Sequence, residues 1–358
     1  MLRKLRNLLI LLILLAGSAA GGLYWWSHQP IELASPQLEI WVRPGSSLAS
    51  IPGQLRAGGA DVQPHLFQIE ARLMGVAGHL KSGTYALEAG ITPDQLLDKM
   101  FRGDVVRHTI TIVGGWEFRK MRAAVDLEQR LVHNTAGMSD AQLLKLIDAQ
   151  ETRAEGLFFP DTYLFDVGST DVDLYKRAYR AMQKRLAEAW KAKPAGLPYK
   201  TPYEALTMAS IVEKETGAAA DRPLIAAVFV NRLKKGMLLQ TDPTVIYGMG
   251  EAFDGNLRKR DLQTDTPYNT YTRGGLPPTP IALPGKAALA AALNPAASEA
   301  LYFVARGDGT SEFSSSLAEH NRAVNTFQRH LPDPGPAKAA GDAAKTAPKM
   351  AAKTPKRQ

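Results

Sequence analysis

The longest hydrophobic feature of the chain is the run LLILLILLAGSAAGGLYWW, which extends from Leu8 to Trp26 without a charged residue. As a helix at about 1.5 Å per residue it would span roughly 28 Å, close to the thickness of a bilayer core. Basic residues precede the run, which predicts a cytoplasmic N-terminus, and the aromatic residues that close it suit the opposite membrane interface. Residues 1–29 are therefore predicted to form a transmembrane anchor. A signal peptide cleaved within AGSAA is the alternative.

Shorter alternating stretches follow and predict a small α+β unit over residues 30–112. LEIWVRPG, SGTYALEAG and VVRHTITIV alternate apolar and polar positions as strands do. Between the first two strands, SSLASIPGQLRAGGA and QPHLFQIEARLMG have helical spacing and end in glycine. The β-α-α-β order from Leu38 to Leu87 resembles a LysM module, a family that binds glycans containing N-acetylglucosamine. A small spacer domain without a ligand is the alternative.

The chain from residue 113 to residue 331 is predicted to be mostly helical. Apolar spacing predicts helices over three stretches: Asp171 to Trp190, Thr201 to Thr216 and Arg222 to Lys235. LYFVARGDGTSEFSSS predicts a β-hairpin that turns at GDG. Residues 332–358 are rich in Ala, Pro and Lys, which predicts a disordered basic tail. The predicted fold class is α+β: a transmembrane helix, a LysM-like domain, and a mostly helical domain with a β-hairpin.

Composition excludes several kinds of chemistry. The chain of 358 residues has no cysteine, which excludes disulfides, a cysteine nucleophile and a Cys-ligated metal. Its net charge of +8 is concentrated at the two ends, so the body is nearly neutral and lacks the basic surface that nucleic-acid binding requires. The 7 histidines lack metal-ligand spacing, and no phosphate-binding or dinucleotide motif is present. We expect no metal and no cofactor.

Three polar-aromatic segments remain as candidates for a binding cleft. They are EGLFFPDTYLF from Glu155, LLQTDPTVIYGMG from Leu238 and PYNTYTRGGLPPTPIALPG from Pro267. Long polar-aromatic loops often carry function, and aromatic and amide groups beside carboxylates suit sugars, whose rings have apolar faces and hydroxyl rims. The alternative is structural: the phenylalanines are core residues and the acids cap helices.

The helical segment ASIVEKET carries two glutamates, Glu213 and Glu215, at the end of an apolar stretch. Residues two apart on a helix point about 200° from each other, so these two cannot both face one cleft. One of them could be a half-buried acid with a raised pKa that donates a proton near neutral pH. Periodicity by itself does not choose between them.

Taken together, the motifs resemble those of the MltG (YceG-like) endolytic murein transglycosylases. The segments that carry the resemblance occur in the family's order: EGLFFPDTYLF, ASIVEKET, VFVNRL, LQTDPTVIYGMG, YNTYTRGGLPPTPIALPG, ALNPA and YFVARGDGTSEFSSSLAEHN. The resemblance as a whole runs from roughly Leu38 to Val324, which is nearly all of the predicted folded part. The resemblance implies that residues 113–331 form the catalytic domain.

The resemblance also implies a reaction. The family cleaves the β-1,4 bond between N-acetylmuramic acid and N-acetylglucosamine within glycan strands and leaves a 1,6-anhydro-muramyl end. Its catalytic acid corresponds to Glu213, and no catalytic role passes to Glu215. One carboxylate suffices because the substrate's own C6 hydroxyl is the nucleophile, whereas most glycosidases need two carboxylates.

Other residues are expected to bind and distort the sugar ring. We expect this role for five residues: Gln240, Asp242, Tyr268, Asn269 and Tyr271. Asp161 is a further candidate for substrate binding. Tyr268-Asn269 resembles the Tyr-Asn pair that other lytic transglycosylases place in their clefts. Glu155 and Asp161 either line the cleft or fix its loops, and His320 either reaches the site or lies on a helix face.

Two rival functions remain at this stage: a membrane-tethered glycan-binding scaffold without catalysis, and a hydrolase that pairs Glu213 with Asp242 or Asp161. The expected location is the inner membrane, with a single pass, a cytoplasmic N-terminus and a periplasmic body. The expected partners are peptidoglycan strands and a peptidoglycan synthase complex, whose products the enzyme would cut and thereby limit strand elongation.

Overall fold

The computed structural model describes residues 2–215 and 218–328. Within them the chain is a mixed α+β protein with small two-stranded antiparallel sheets. The predicted tail, residues 332–358, lies outside the described residues. The chain divides into two compact units. The first comprises residues up to 113 with 119–154 and 160–180, and the second comprises 114–118, 155–159 and the chain from 181 onward.

The first unit begins with a long apolar helix. Helix α1 (Leu2–Ser27) is, among the described residues, the one helix long and apolar enough to cross a membrane. This helix fits the predicted single-pass anchor. The elements that follow it are β1 (Glu32–Leu33), β2 (Gln37–Val42), α2 (Ile51–Ala57), β3 (Ala60–Asp61), α3 (Pro64–Leu73), β4 (Gly83–Glu88), α4 (Pro93–Arg102) and β5 (His108–Thr111).

Strands β2 and β4 pair in full antiparallel register, from Gln37 opposite Glu88 to Val42 opposite Gly83. Their inner faces and helices α2, α3 and α4 enclose a hydrophobic core. Its largest fully buried side chains are Tyr85, Phe67, Leu55, Leu87, Leu96, Leu97 and Met100. Helices α2 and α3 lie between β2 and β4 in sequence, with the short β3 between them. The relationship to LysM stays a prediction.

The remainder of the first unit comes from a more distant part of the sequence. It contains most of α5 (Phe118–Asp126), then α6 (Asp140–Leu146), β6 (Thr162–Phe165) and the first part of α7 (Asp171–Ala192). Strand β6 pairs with β5, and Thr84 of β4 bonds to Asp166 and to the main chain of Val167. These non-local contacts explain why the unit is not continuous in sequence. The predicted domain limits at 112–113 and 331–332 stay predictions.

The second unit is built around a buried helix. Its elements are α8 (Pro202–Glu215), α9 (Arg222–Lys234), α10 (Asp242–Met249), a 3₁₀ turn (Gly250–Ala252), α11 (Lys259–Gln263), α12 (Lys286–Leu293), β7 (Tyr302–Ala305), β8 (Ser311–Ser314) and α13 (Leu317–Phe327). Every residue of α8 from Ala205 to Val212 is buried, and α8 packs against both α9 and α12. A helix that is apolar all round needs such neighbours. Its C-terminal end presents the two glutamates.

Candidate active site

Glu213 lies between two irregular segments at the end of α8. Its Oε2 accepts a hydrogen bond from the main-chain N–H of Gly285 at 2.9 Å, and Gly285 is the N-cap of α12. On another side, a Cβ at Gly115 would stand 3.9 Å from Glu213 Cγ. The side chain is half-buried. A carboxylate at a helix N-terminus is favoured by the unpaired N–H groups there, so this site holds Glu213 in one orientation.

The segments around Glu213 are fixed to each other and to α8. Gly115 N–H donates to Leu283 O at 2.9 Å, and Leu283 N–H donates to Trp116 O at 2.7 Å. Ser210 lies one helical turn before Glu213, and its Oγ accepts the N–H of Ile281 at 2.9 Å. Gly115 has φ +79°, a left-handed conformation that glycine adopts without strain. The loop before α12 therefore has two anchor points on the same stripe of α8.

Glu215 faces a different environment, a cavity of about 640 Å³. Thr241 Oγ1 donates a hydrogen bond to Glu215 Oε1. Burial raises the pKa of Glu215, the Thr241 hydrogen bond lowers it, and the nearby Asp242 carboxylate raises it further. The cavity is lined by Glu215, Arg232, Gln240, Asp242, Tyr271, Tyr302, His320, Gln328 and neighbouring apolar residues. Three of the predicted substrate-binding residues are thus gathered on the Glu215 side.

Two of these residues are directly paired: the Tyr271 hydroxyl donates to Asp242 Oδ1. Burial, the hydrogen bond to Asp242 and the Asp242 charge all raise the pKa of Tyr271, so its hydroxyl keeps its proton. Gln240 has φ +51°, which is uncommon for a residue other than glycine. Strained backbone of this kind is often found at functional sites.

Arg232, which the sequence analysis did not select, supports the same cavity. Its Nε donates to Leu301 O at 2.7 Å and its Nη1 donates to Leu239 O at 2.9 Å. The guanidinium also lies 5.1 Å from the ring centroid of Tyr302, which stacks on His320 at 5.2 Å. Arg232 belongs to the VFVNRL motif, but an arginine in a helix carries no signal in the sequence about the carbonyl groups it will meet.

Asn269 is placed differently from its neighbours Tyr268 and Tyr271. It is fully buried, and its Nδ2 donates to the carbonyl oxygens of Leu262 at 3.0 Å and Thr264 at 2.7 Å. Its Oδ1 accepts the main-chain N–H of Tyr271 at 2.8 Å. The side-chain amide therefore holds the loop that carries Tyr271.

Tyr268 connects to a second buried acid, Glu155. The ring of Tyr268 meets Tyr247 edge to face at 4.9 Å, and the Tyr247 hydroxyl donates to Glu155 Oε2 at 3.3 Å. The N–H of Phe118 donates to both Glu155 oxygens, at 3.0 and 3.1 Å. Burial raises the pKa of Glu155 from 4.5 to about 7, and these hydrogen bonds offset only part of that effect. The sequence left the role of Glu155 open, and in the structure it joins two segments of the second unit.

Asp161 belongs to the first unit, whereas α8 belongs to the second. Its carboxylate accepts the N–H of Thr162 at 2.8 Å and its main-chain oxygen accepts the N–H of Ile112 at 2.9 Å. These bonds fix the start of β6. Among the described residues, no group of three or more His, Asp and Glu side chains is arranged to hold a metal ion.

Comparison with known proteins gives consistent matches over most of the chain. The YceG-like family matches residues 40–326. An endolytic murein transglycosylase of Bacillus subtilis strain 168 is 32% identical over 317 residues, which covers 84% of this chain and 87% of that protein. An endolytic murein transglycosylase of Streptococcus pneumoniae strain D39 is 29% identical over 330 residues, and the match spans 59% of its length.

Among solved structures, the chain is similar to a yceG-like protein of Listeria monocytogenes. The TM-score is 0.50 and the sequence identity is 30%, with 80% of this chain and 98% of that chain covered. The likeness therefore includes the fold as well as the sequence.

Proposed function

Because the chain belongs to the YceG-like family, we propose that it acts as an endolytic murein transglycosylase with Glu213 as its catalytic acid. The curated relatives that match over most of the chain have this activity by name, and peptidoglycan is the substrate that follows from it. The observation that supports Glu213 is its setting: a half-buried carboxylate at the end of a rigid helix, held by one main-chain N–H group.

The proposed reaction needs only one protein carboxyl group. Glu213, protonated at the start, gives its proton to the glycosidic oxygen while the bond from that oxygen to C1 of N-acetylmuramic acid breaks. The C6 hydroxyl of the same sugar bonds to C1, and its proton returns to Glu213. The products are a free N-acetylglucosamine hydroxyl and a 1,6-anhydro-muramyl end, without water consumed. The internal nucleophile benefits from proximity, so no second carboxylate has to activate water.

The Gly285 hydrogen bond has a specific part in this scheme. It holds Oε2, and within residues 2–215 and 218–328 no hydrogen bond reaches Oε1. Oε1 is therefore the oxygen that we assign to proton transfer. Since the loop before α12 is also fixed through Ser210, the carboxyl group stays in position between the two proton transfers.

We assign the Glu215 side of α8 to binding sugars of the strand other than the one that reacts at Glu213, because the two glutamates point nearly opposite ways. Gln240, Asp242 and Tyr271 line the cavity and offer amide, carboxylate and hydroxyl groups suited to sugar hydroxyls. Asn269 acts through Tyr271, whose main chain it holds. Tyr268 and Asp161 remain proposed substrate contacts, and Asp161→Ala tests the latter separately from the cavity.

The proposed location follows from α1, which fits a membrane anchor. We propose a single pass through the inner membrane with a cytoplasmic N-terminus and a periplasmic body. There the enzyme would cut new strands near a peptidoglycan synthase complex and limit their elongation.

The experiment is digestion of intact glycan strands by the full chain, with product analysis by mass spectrometry. Anhydro-ended fragments from internal cuts are the expected result. Reducing ends would show a hydrolase instead. Binding to peptidoglycan without any fragments, unchanged by Glu213→Gln, would show a scaffold.

A further inference from the structure

Helix α1 connects to the first unit without a linker. Its side chains from Leu8 to Leu15 are exposed, and only in its last turns does Trp26 pack against the hydrophobic core while Ser27 becomes buried. The chain then enters the fold at once, because Ile31 N–H donates to Ile91 O at 2.8 Å. If the apolar run to Trp26 fills the bilayer core, the folded unit starts at the bilayer surface.

Helix α3 lies at this end of α1. Helix α1 packs against both α3 and α4, and His28 Nε2 is 4.0 Å from Asp94 Oδ2 at the start of α4. Burial raises the pKa of Glu70 on α3; the Asp94 carboxylate raises it further, and His28 lowers it. Helix α1 packs against α3, and Glu70 is near enough to His28 and Asp94 for their charges to act on it, so Glu70 lies on the side of α3 near the end of α1.

The same side of α3 continues into exposed apolar residues. Leu73 is 72% exposed and Met74 is 39% exposed. They follow Glu70 by three and four positions, so they lie on its side of the helix, about 5 Å further along the axis. A headgroup layer is roughly 5–7 Å thick on each side of the bilayer core. An apolar side chain in that layer escapes the cost of contact with water.

We propose that the Leu73 and Met74 edge of α3 inserts into the headgroup layer of the bilayer that holds α1. This contact fixes the first unit flat on the membrane rather than leaving it free to swing on its anchor. The partner surface is lipid, because the edge adjoins the point where the membrane helix enters the fold. The proposal rests on the membrane anchor given above and does not depend on the identity of the catalytic acid.

The absence of native cysteine allows a direct test. The full chain is reconstituted in phosphatidylethanolamine–phosphatidylglycerol nanodiscs as single-cysteine variants that carry a fluorophore. Leu73→Cys probes the edge, and Tyr24→Cys is the membrane reference. Arg72→Cys is the matched control, because Arg72 is exposed on the same helix but about 200° around from Glu70. Lipids with a headgroup nitroxide quench labels in the layer.

We expect quenching at position 73 to reach at least half of that at position 24 and at least three times that at position 72. Equal quenching at positions 72 and 73 would overturn the proposal. If neither the nitroxide lipid nor aqueous iodide quenches the label at position 73, another protein surface covers this edge and the proposal is overturned. If the label at position 24 is not quenched, α1 is not a membrane anchor and the proposal fails with it. Glycan cleavage by the same sample tests the proposed enzyme activity separately.

Discussion

The two sides of α8 differ in what surrounds their glutamates. Glu213 meets main chain: the N–H of Gly285 and the glycine at position 115. Glu215 meets side chains: the hydroxyl of Thr241 and a cavity that also contains Asp242 and Tyr271. Among the described residues, the hydrogen bond to Glu213 engages only one of its two oxygens, whereas Glu215 is enclosed in a network of side chains. Glu213, the proposed catalytic acid, and Glu215, which lines a binding cavity, are thus only two positions apart on the same helix.

The largest expected effect tests this comparison directly. Glu213→Gln should reduce turnover of glycan strands about 1,000-fold, because an amide cannot supply the proton for general acid catalysis. The melting temperature should stay nearly unchanged, since the amide oxygen can still accept the Gly285 N–H.

Glu215→Gln is the matched control. The amide is the neutral isostere of a carboxyl group whose pKa is raised, and it can still accept the Thr241 hydrogen bond, so activity should stay within about threefold. If Glu215→Gln loses as much turnover as Glu213→Gln, the two roles must be exchanged or shared.

The second expected effect concerns Glu155, whose folded pKa of about 7 exceeds its ordinary 4.5. Between these two values the folded protein binds more protons than the unfolded chain, so the free energy of unfolding falls as pH rises from about 4.5 to 7. The raised pKa of Glu155 corresponds to a decrease of roughly 3 kcal/mol in the free energy of unfolding over this pH range.

Glu155→Gln should remove this part of the pH dependence, and denaturant unfolding at pH 5 and pH 8 measures it. An unchanged difference between the two pH values would mean that the carboxyl group does not titrate there.

A smaller effect is expected on the cavity side. Tyr271→Phe removes the hydroxyl that bonds Asp242 and leaves the aromatic ring. We expect KM for glycan strands to rise about 10-fold with less change in kcat, because a site that has lost a hydrogen-bonding group binds its sugar less well. Asp242→Asn, alone and combined with Tyr271→Phe, completes a double-mutant cycle. If the free-energy changes of the two single substitutions add up to that of the double substitution, Tyr271 and Asp242 do not act together in binding.

The smallest expected effect is that of Gly115→Ala. The new Cβ would meet Glu213 Cγ at 3.9 Å, an ordinary contact, so the cost is the left-handed backbone, about 1 kcal/mol. Thermal unfolding should detect this loss, with turnover reduced only a few-fold. Gly45→Ala also places alanine at a left-handed position, φ +77°, with open space around it, and it serves as the control. A 100-fold loss of turnover at Gly115→Ala alone would mean that the main chain beside Glu213 must move.

Local patterns predicted the starts of the long helices in both units. The helices predicted to start at Asp171, Thr201 and Arg222 begin there or one residue later, because their spacing and start signals are contained within each segment. The pairing of β5 with β6 was not predicted, since it joins residues about 50 positions apart and neither strand carries a sign of its partner. The left-handed backbone at Gln240 was also not predicted; the N–H of this residue donates to Thr270 O in another loop, a contact that no local pattern indicates.

The sequence by itself determined that α8 carries two glutamates that point nearly opposite ways, because helical geometry is local. It also carries the motifs by which the chain is placed in its family. Only the tertiary structure decided what each glutamate meets, since Gly285, Thr241 and Tyr271 are distant in sequence and reach α8 through folding. The same reason applies to Glu155, which became a buried carboxyl group with a shifted pKa only when Phe118 and Tyr247 closed around it.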